Sequence, residues 1–500
     1  LRKPHLLSKD WLGKHWLGKH WLGKHWLAGV LLAAGFVFRV LAQFSYRPAL
    51  FYIDTVRYLY NSGGNDPVGY RLPLKVILAV SDFDAVSAVQ HLLGLAIAAA
   101  IYVVLVRRSA PRWLAAFAMA PVLLDAYQIQ MEQMILPDVW FEALIVAGLV
   151  VLLWNAEVPA LRYVIAAGLI LGISATFRQV GEILVLPGLL YLILACRGWR
   201  VILTRLAAFG VAFAVPILAY LTGSQILVGH FYLSHTGVTT TYGRMAWSAD
   251  CARLTLPAVE RGLCPTPAQR AHGPDWLEHS PYSPVRPYYT GPLSARASHL
   301  VASFNSAVLH QQPGRVLATY ASDVIKLFSL AKKTFAGDTP VSRWQFQDRY
   351  PYLSPHATPA QVLPAITRYG GGRPAVWRAG AGFLREYQLG GGYTPGPLLA
   401  FCVLAGLAGS VLAVAGRFRR ADDGRYQLAL ACLLFFCAGA AVLLLSDLFE
   451  FSWRYQLPAL VTLPPAAAAG LAEIVRPARA RRGGEPEHLP QASEEVRLRH

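Results

Sequence analysis

Four short segments of this chain carry residue types that can do chemistry. The first is FYIDTVRYLYNSGG, in which Asp54 stands among Phe51, Tyr52, Tyr58 and Tyr60, with Arg57 one turn later in a helix. A carboxylate held in an aromatic, amphipathic setting is equipped to act as a general base or a metal ligand. Its plainer uses are as a helix N-cap or a partner for Arg57. The second segment, QIQMEQMILPDVWFE, sets Glu132 and Asp138 on either side of the Pro137 turn, with Glu142 one helical turn beyond Asp138. Asp138 is equally suited to capping the helix that follows it. The third, SATFRQVGE, offers Arg178, whose guanidinium can grip two phosphate oxygens at once or pair with Glu182 four residues on. The fourth, SDLFEFSWRYQLP, brings Asp447, Glu450, Arg454 and Tyr455 ahead of Pro458, with Arg454 and Tyr455 suited to a lipid head group.

The elements that must position these residues are membrane helices. Of 500 residues, 55% are hydrophobic and only 15% charged, well below the quarter or so of a soluble domain. Apolar runs of about 17 residues or more recur, long enough to cross roughly 30 Å of hydrocarbon. The pattern predicts an all-α polytopic protein with spans near 26–45, 85–106, 113–129, 138–154, 161–177, 180–196, 206–228, 396–415, 427–446 and 456–475. The first run has no small-residue cleavage site and reads as a retained span. Basic clusters test the count: Lys14, Lys19 and Lys24; Arg107, Arg108 and Arg112; Arg162; Arg197, Arg200 and Arg205; Arg417, Arg419 and Arg420; and Arg476 to Arg482 all fall on one side. By the positive-inside rule that side is cytoplasmic, with both termini inside. The net charge of +18 is then topology control rather than a nucleic-acid footprint.

This organisation divides the chain into a cytoplasmic repeat segment (1–25), an N-terminal membrane module (26–228, with the first exterior loop at 46–84), an extracytoplasmic insertion (229–395), three further spans (396–475) and a cytoplasmic tail (476–500). The repeat WLGKH puts Trp11, Trp16, Trp21 and Trp26 five residues apart, which scatters them around a helix. The insertion reads as α-rich or irregular, with helices at 294–310 and 314–335; His235, Tyr242, Arg244, Lys332 and Lys333 read as its solvated surface. Cys251 and Cys264 both fall in it, and on the oxidising side of a membrane they are expected to form a disulfide.

Carboxylates and guanidinium groups from four distant segments thus gather at one membrane face, which suits a substrate with an anionic lipid part and a polar part in water. In the order and membrane side of DTVRYLYNSGGNDPVGYRLPL, EQMILPDVWFEALIVAGLVVLL, TFRQVGEILVLPGLLYL and FSWRYQLPALVTLPP, the chain resembles the GT-C superfamily of membrane glycosyltransferases. Within it the likeness is to the branch of protein O-mannosyltransferases and lipid A aminoarabinose transferases. The resemblance implies inverting transfer of a sugar from a polyprenyl-phosphate donor to an extracytoplasmic acceptor: a cell-wall glycan, a lipid or a protein. It makes Asp54 the general base, Glu132 or Asp138 the second acid, and Arg178 or Arg454 the phosphate-binding arginine. Arg57, Tyr58 and Tyr455 complete the expected substrate-binding set. A divalent metal (Mg, Mn or Ca) on Asp54 and Asp138 is one way to neutralise the departing phosphate, and Arg or Lys alone is the other. Many relatives carry two adjacent acids in the first loop, whereas Thr55 follows Asp54 here. The composition, rich in Ala, Arg and Gly, fits a bacterium and hence its inner membrane. The competing expectation is a transporter or flippase of a lipid-linked or anionic solute, which needs charges at mid-span; Arg39 is the residue of that kind.

Overall fold

The computed structural model describes residues 19–60, 67–155, 159–229, 231–234, 237–288, 294–352, 357–418 and 423–475. His235, most of the N-terminal repeat segment and the whole C-terminal tail lie outside these residues. The order of the helices is α1 (Lys19–Ser45), α2 (Ile53–Tyr60), α3 (Arg71–Val80), α4 (Phe83–Arg107), α5 (Arg112–Leu124), α6 (Ala126–Gln133), α7 (Asp138–Leu152), α8 (Leu161–Phe177), α9 (Val185–Ala195) and α10 (Trp199–Val228). The insertion follows with α11 (Gly237–Ser248), α12 (Pro267–Arg270), α13 (Gly273–His279), α14 (Ala295–Gln311), α15 (Pro313–Lys326), α16 (Pro359–Tyr369) and α17 (Arg378–Leu389), and the chain closes with α18 (Gly396–Phe418), α19 (Asp423–Phe449) and α20 (Pro458–Val475).

Helix stands at every position where the hydropathy predicts a span. Six of these helices (α1, α4, α10, α18, α19 and α20) are long and apolar enough to cross a membrane. The pair α5–α6, bent by 52°, counts as a seventh if it is one span. Asp125 explains the break: its side chain accepts a hydrogen bond from Tyr127 N at 2.9 Å and so starts a new helix, as N-cap aspartates do. The helices α7, α8 and α9 are shorter, so the count of ten and the topology built on it stay an expectation.

The apolar core runs through α4, α5, α7, α8, α9 and α19, where Ile101, Met119, Ile145, Leu171, Leu192 and Phe435 are buried. A second core lies at one end of this bundle. There Tyr46, Leu50, Tyr52 and Tyr127 pack against Trp344 and Phe346 of the insertion and Trp453 of the last turn. The part of the insertion from α11 to α15 has a core of its own around Tyr242, Leu263, Leu277, Phe304 and Val308.

Two expectations for the insertion are overturned. Tyr242 and Arg244, read as solvated surface, are fully buried. Tyr242 donates to Leu263 O, and Arg244 reaches the end of α19. The helix expected over 314–335 stops at Lys326. Lys326 Nζ is drawn inward to Asp323 and Asp338, each at 2.7 Å, and Leu327 packs in the second core instead of prolonging the stripe. Cys251 and Cys264 are bonded, with Cα atoms 6.0 Å apart. Closing a loop of this length is worth about 3 kcal/mol. Alkylation of the unfolded, unreduced protein is therefore expected to label four cysteines and leave this pair unlabelled until reductant is added; labelling of all six without reductant is the contrary result.

Candidate active site

The first loop leaves α1 and is fastened at once. Strand β1 (Tyr46–Arg47) pairs antiparallel with β2 (Ala375–Val376) of the insertion. Leu50 then exchanges backbone hydrogen bonds with the α6–α7 junction: Leu50 N to Gln133 O at 2.9 Å and Ile135 N to Leu50 O at 3.0 Å. Thr55 is buried, accepting from Tyr52 N and donating to Ile135 O at 3.0 Å. Thr55, the neighbour of Asp54, thus holds α2 against that junction.

The last turn is fastened from the other side. Arg244 Nε donates to Leu448 O and Phe449 O at 3.1 Å, and its Nη2 to Asp447 O at 2.8 Å. A cation on the final carbonyls of a helix satisfies acceptors that have no intrahelical partner. A salt bridge from Arg244 to Asp323 ties this cap to α15. Residues 450–457, which present Glu450, Arg454 and Tyr455, thereby start from a fixed point.

Between these two supports five side chains form one ionic array. Arg454 Nη1 donates to Asp54 Oδ2 at 2.7 Å. Its Nε donates to Asp138 Oδ1 at 3.0 Å and Oδ2 at 3.1 Å, and its Nη2 to Asp138 Oδ2 at 2.8 Å. Arg178 Nη1 binds Asp138 Oδ1, and Arg57 Nη1 lies 3.6 Å from Asp54 Oδ1. Rings sandwich the cations: Tyr455 lies 4.6 Å from the Arg178 guanidinium, and Tyr52 lies 5.4 Å from that of Arg454. Burial alone pushes the Asp54 carboxyl up, but Arg454 and then Arg57 outweigh it and hold it below the ordinary carboxylate range.

The array opens on a cavity of about 1340 Å³ lined by Tyr52, Asp54, Arg57, Tyr58, Arg178, Arg454 and Tyr455, among others. That space exceeds the roughly 300–1,000 Å³ typical of a single small-ligand pocket. Asp138 borders a small void behind the array together with Glu142. Its expected role as N-cap is not what the structure has. Pro137 occupies the cap position, without a side-chain cap bond, and the Asp138 carboxylate is spent on two arginines. The alternative pairing of Arg178 with Glu182 is likewise absent. Arg178 turns to Asp138, while Glu182 lies on the cavity wall.

Glu132 requires the largest correction. It is fully buried among the helices and does not line the cavity. Its Oε1 accepts from Arg39 Nη2 at 2.6 Å and its Oε2 lies 3.0 Å from His91 Nδ1. Gly94 leaves room for the pair, since a Cβ there would fall 2.1 Å from Glu132 Oε1. The same ion pair accounts for Arg39, the charge deep in α1.

A divalent metal on Asp54 and Asp138 also fails to fit these residues. Hard cations need several oxygens converging on one point, and here the Arg454 guanidinium fills the place between the two carboxylates. Arg178 and Arg57 add further positive charge. Among the described residues no group of three or more His, Cys, Asp or Glu side chains converges on a metal position.

Sequence reading missed the share of the wall that comes from the insertion. Asp275, Trp276 and His279 of α13 line the cavity, as do Arg343 and Trp344. Gln388 holds this last segment by accepting from Phe346 N and donating to Trp344 O. The amphipathic WLEH of α13 was the one available signal.

No family model matches the sequence, and no curated protein does. Among solved structures the chain is similar to the oligosaccharyltransferase of the archaeon Archaeoglobus fulgidus. The apo form gives a TM-score of 0.42 and the form tethered to an acceptor peptide 0.39, both at 12% identity. A third, in complex with an inhibitory peptide and a dolichol-phosphate, gives 0.36. In each, 90% of this chain is covered, but it spans only about half the length of the archaeal enzyme.

Proposed function

We propose that the protein is an integral membrane glycosyltransferase that moves a sugar, with inversion, from a polyprenyl-phosphate donor to an extracytoplasmic acceptor. The observation that carries this reading is the joining of Asp54, Asp138, Arg178 and Arg454, from four distant segments, at the wall of one large cavity. Displacement at an anomeric carbon needs a cationic seat for the departing phosphate and a carboxylate near the acceptor hydroxyl. Arg454 and Arg178 supply the seat, pre-oriented by Asp138, so no reorganisation is left for the moment of reaction. Asp54, which the family resemblance makes the base, lies at the same centre in contact with Arg454. The membrane is the inner membrane, with the insertion outside and both termini in the cytoplasm. The transporter reading loses its support because Arg39 is neutralised by Glu132.

The test is release of free polyprenyl phosphate from polyprenyl-phosphate sugars by the purified protein. Asp54→Asn is expected to abolish that release while the protein stays folded, because the change removes the carboxylate charge at the centre and weakens one of the bonds that aim Arg454. Full activity in this variant removes Asp54 from the mechanism.

A further inference from the structure

A base must have an available lone pair, and Asp54 has little to offer. One of its oxygens is held by Arg454 at 2.7 Å and the other faces Arg57 at 3.6 Å. Asp138 is more committed still. Of the other acids on the cavity wall, Glu182 is exposed to solvent, and Asp275 and Glu278 already have partners: Asp275 lies 3.9 Å from His279, and Glu278 accepts from Thr240 at 2.6 Å. Glu450 is different. It lines the same cavity as Arg178, Arg454 and Tyr455 and makes no ion pair among the described residues. The ring of Tyr455 lies against Arg178. Glu450 therefore faces the same space as the phosphate seat, in the same turn as Arg454, and lies one residue beyond the end of α19, where Arg244 fixes the backbone.

We propose that Glu450, rather than Asp54, accepts the proton of the acceptor hydroxyl. This assignment rests on the glycosyltransferase reading and leaves Asp54 as the residue that positions Arg454. In the step, the acceptor O–H bond breaks and its proton goes to a Glu450 carboxylate oxygen. The acceptor oxygen bonds the anomeric carbon, and the bond from that carbon to the phosphate oxygen breaks with its electron pair leaving on the phosphate. The polyprenyl phosphate departs against Arg454 and Arg178, and Glu450 later returns its proton to water. The surroundings favour proton uptake. Burial, and then repulsion from Asp275 and Glu278 on α13, raise the Glu450 carboxyl well above its ordinary range, while Tyr455 and Arg244 on α11 oppose the rise. His279 on α13 and Asp54, Arg57, Arg178, Glu182, Arg286, Arg343 and Arg454 are the other titratable or charged groups on the wall of this space.

The experiment measures polyprenyl-phosphate release by the full-length protein in detergent against pH, with water as acceptor where no other is known. Binding of the same donor is followed in parallel by tryptophan fluorescence. Glu450→Gln is expected to lower kcat by about 100-fold or more, the usual loss for a general base, with donor binding unchanged. The wild-type rate is expected to fall as pH drops through the raised Glu450 value, and this acid limb disappears in Glu450→Gln. Formate added to Glu450→Ala restores part of the rate, which a structural role for Glu450 does not explain. A Glu450→Gln protein that keeps the wild-type kcat and acid limb overturns the assignment and returns the proton to Asp54. A wild-type protein that binds donor but releases no lipid phosphate overturns the glycosyltransferase reading and this role with it.

Discussion

Arg454→Ala is expected to lose turnover almost entirely and to unfold more readily, because one guanidinium serves two tasks. It is the cation best placed for a departing phosphate, and removing one pre-oriented donor of this kind costs about 100- to 1,000-fold in rate. It also separates two carboxylates: its four hydrogen bonds go to Asp54 and Asp138, and its side chain is only 5% exposed. Breaking a buried pair by deleting one partner costs about 3–5 kcal/mol. The loss here lies toward the low end, because Arg178 still faces Asp138. Arg454→Lys separates the two effects. A lysine keeps the charge but lacks the fork that spans two carboxylates, so it is expected to recover more stability than activity. Thermal unfolding in detergent and lipid-phosphate release, measured on the same preparations, provide the check. An Arg454→Ala protein with unchanged turnover sinks the phosphate seat.

How far the sequence carries can be judged from these residues. Asp54, Arg178 and Arg454 were legible because a charge at the end of an apolar run stands out against its neighbours. So was the helical position of each expected span, which hydropathy alone reveals. What a linear reading cannot supply is the direction in which a buried charge points. Glu132 and Asp138 lie six residues apart around Pro137, yet one turns into the bundle toward Arg39 and the other toward the array. Nothing local distinguishes them, since their ionic partners lie 40 to 316 residues away along the chain. Arg244 shows the same limit. It sits among polar residues of the insertion and looked solvated, but its partners at Asp447, Leu448 and Phe449 lie some two hundred residues downstream. Docking of the insertion buries it, and docking leaves no periodic trace in a sequence.

Glu132 gives the second large effect, of the opposite kind: stability without chemistry. Glu132→Ala strands the Arg39 guanidinium among apolar helices, where its remaining donors reach only the carbonyls of Gly35, Val122 and Leu123. An uncompensated buried charge of this sort costs about 3–5 kcal/mol. Replacing both partners at once, as Arg39→Met with Glu132→Leu, is expected to recover much of that loss, because no charge is then left without a partner. Gly94→Ala attacks the same network by steric means, its new methyl landing on the Glu132 carboxylate. All three variants are followed by thermal unfolding in detergent, with lipid-phosphate release scored per folded molecule. The expected pattern is a fall in stability for the two single variants, recovery in the double variant, and turnover retained wherever the protein is folded. A folded Glu132→Ala protein that binds donor but does not turn over contradicts this division and restores Glu132 to the mechanism. The contrast with Arg454 then comes from the surroundings of each ion pair: Arg454 and Asp54 border open space that a substrate can enter, whereas Arg39 and Glu132 are closed in by α1, α4, α5 and α6 on every side that carries a polar atom.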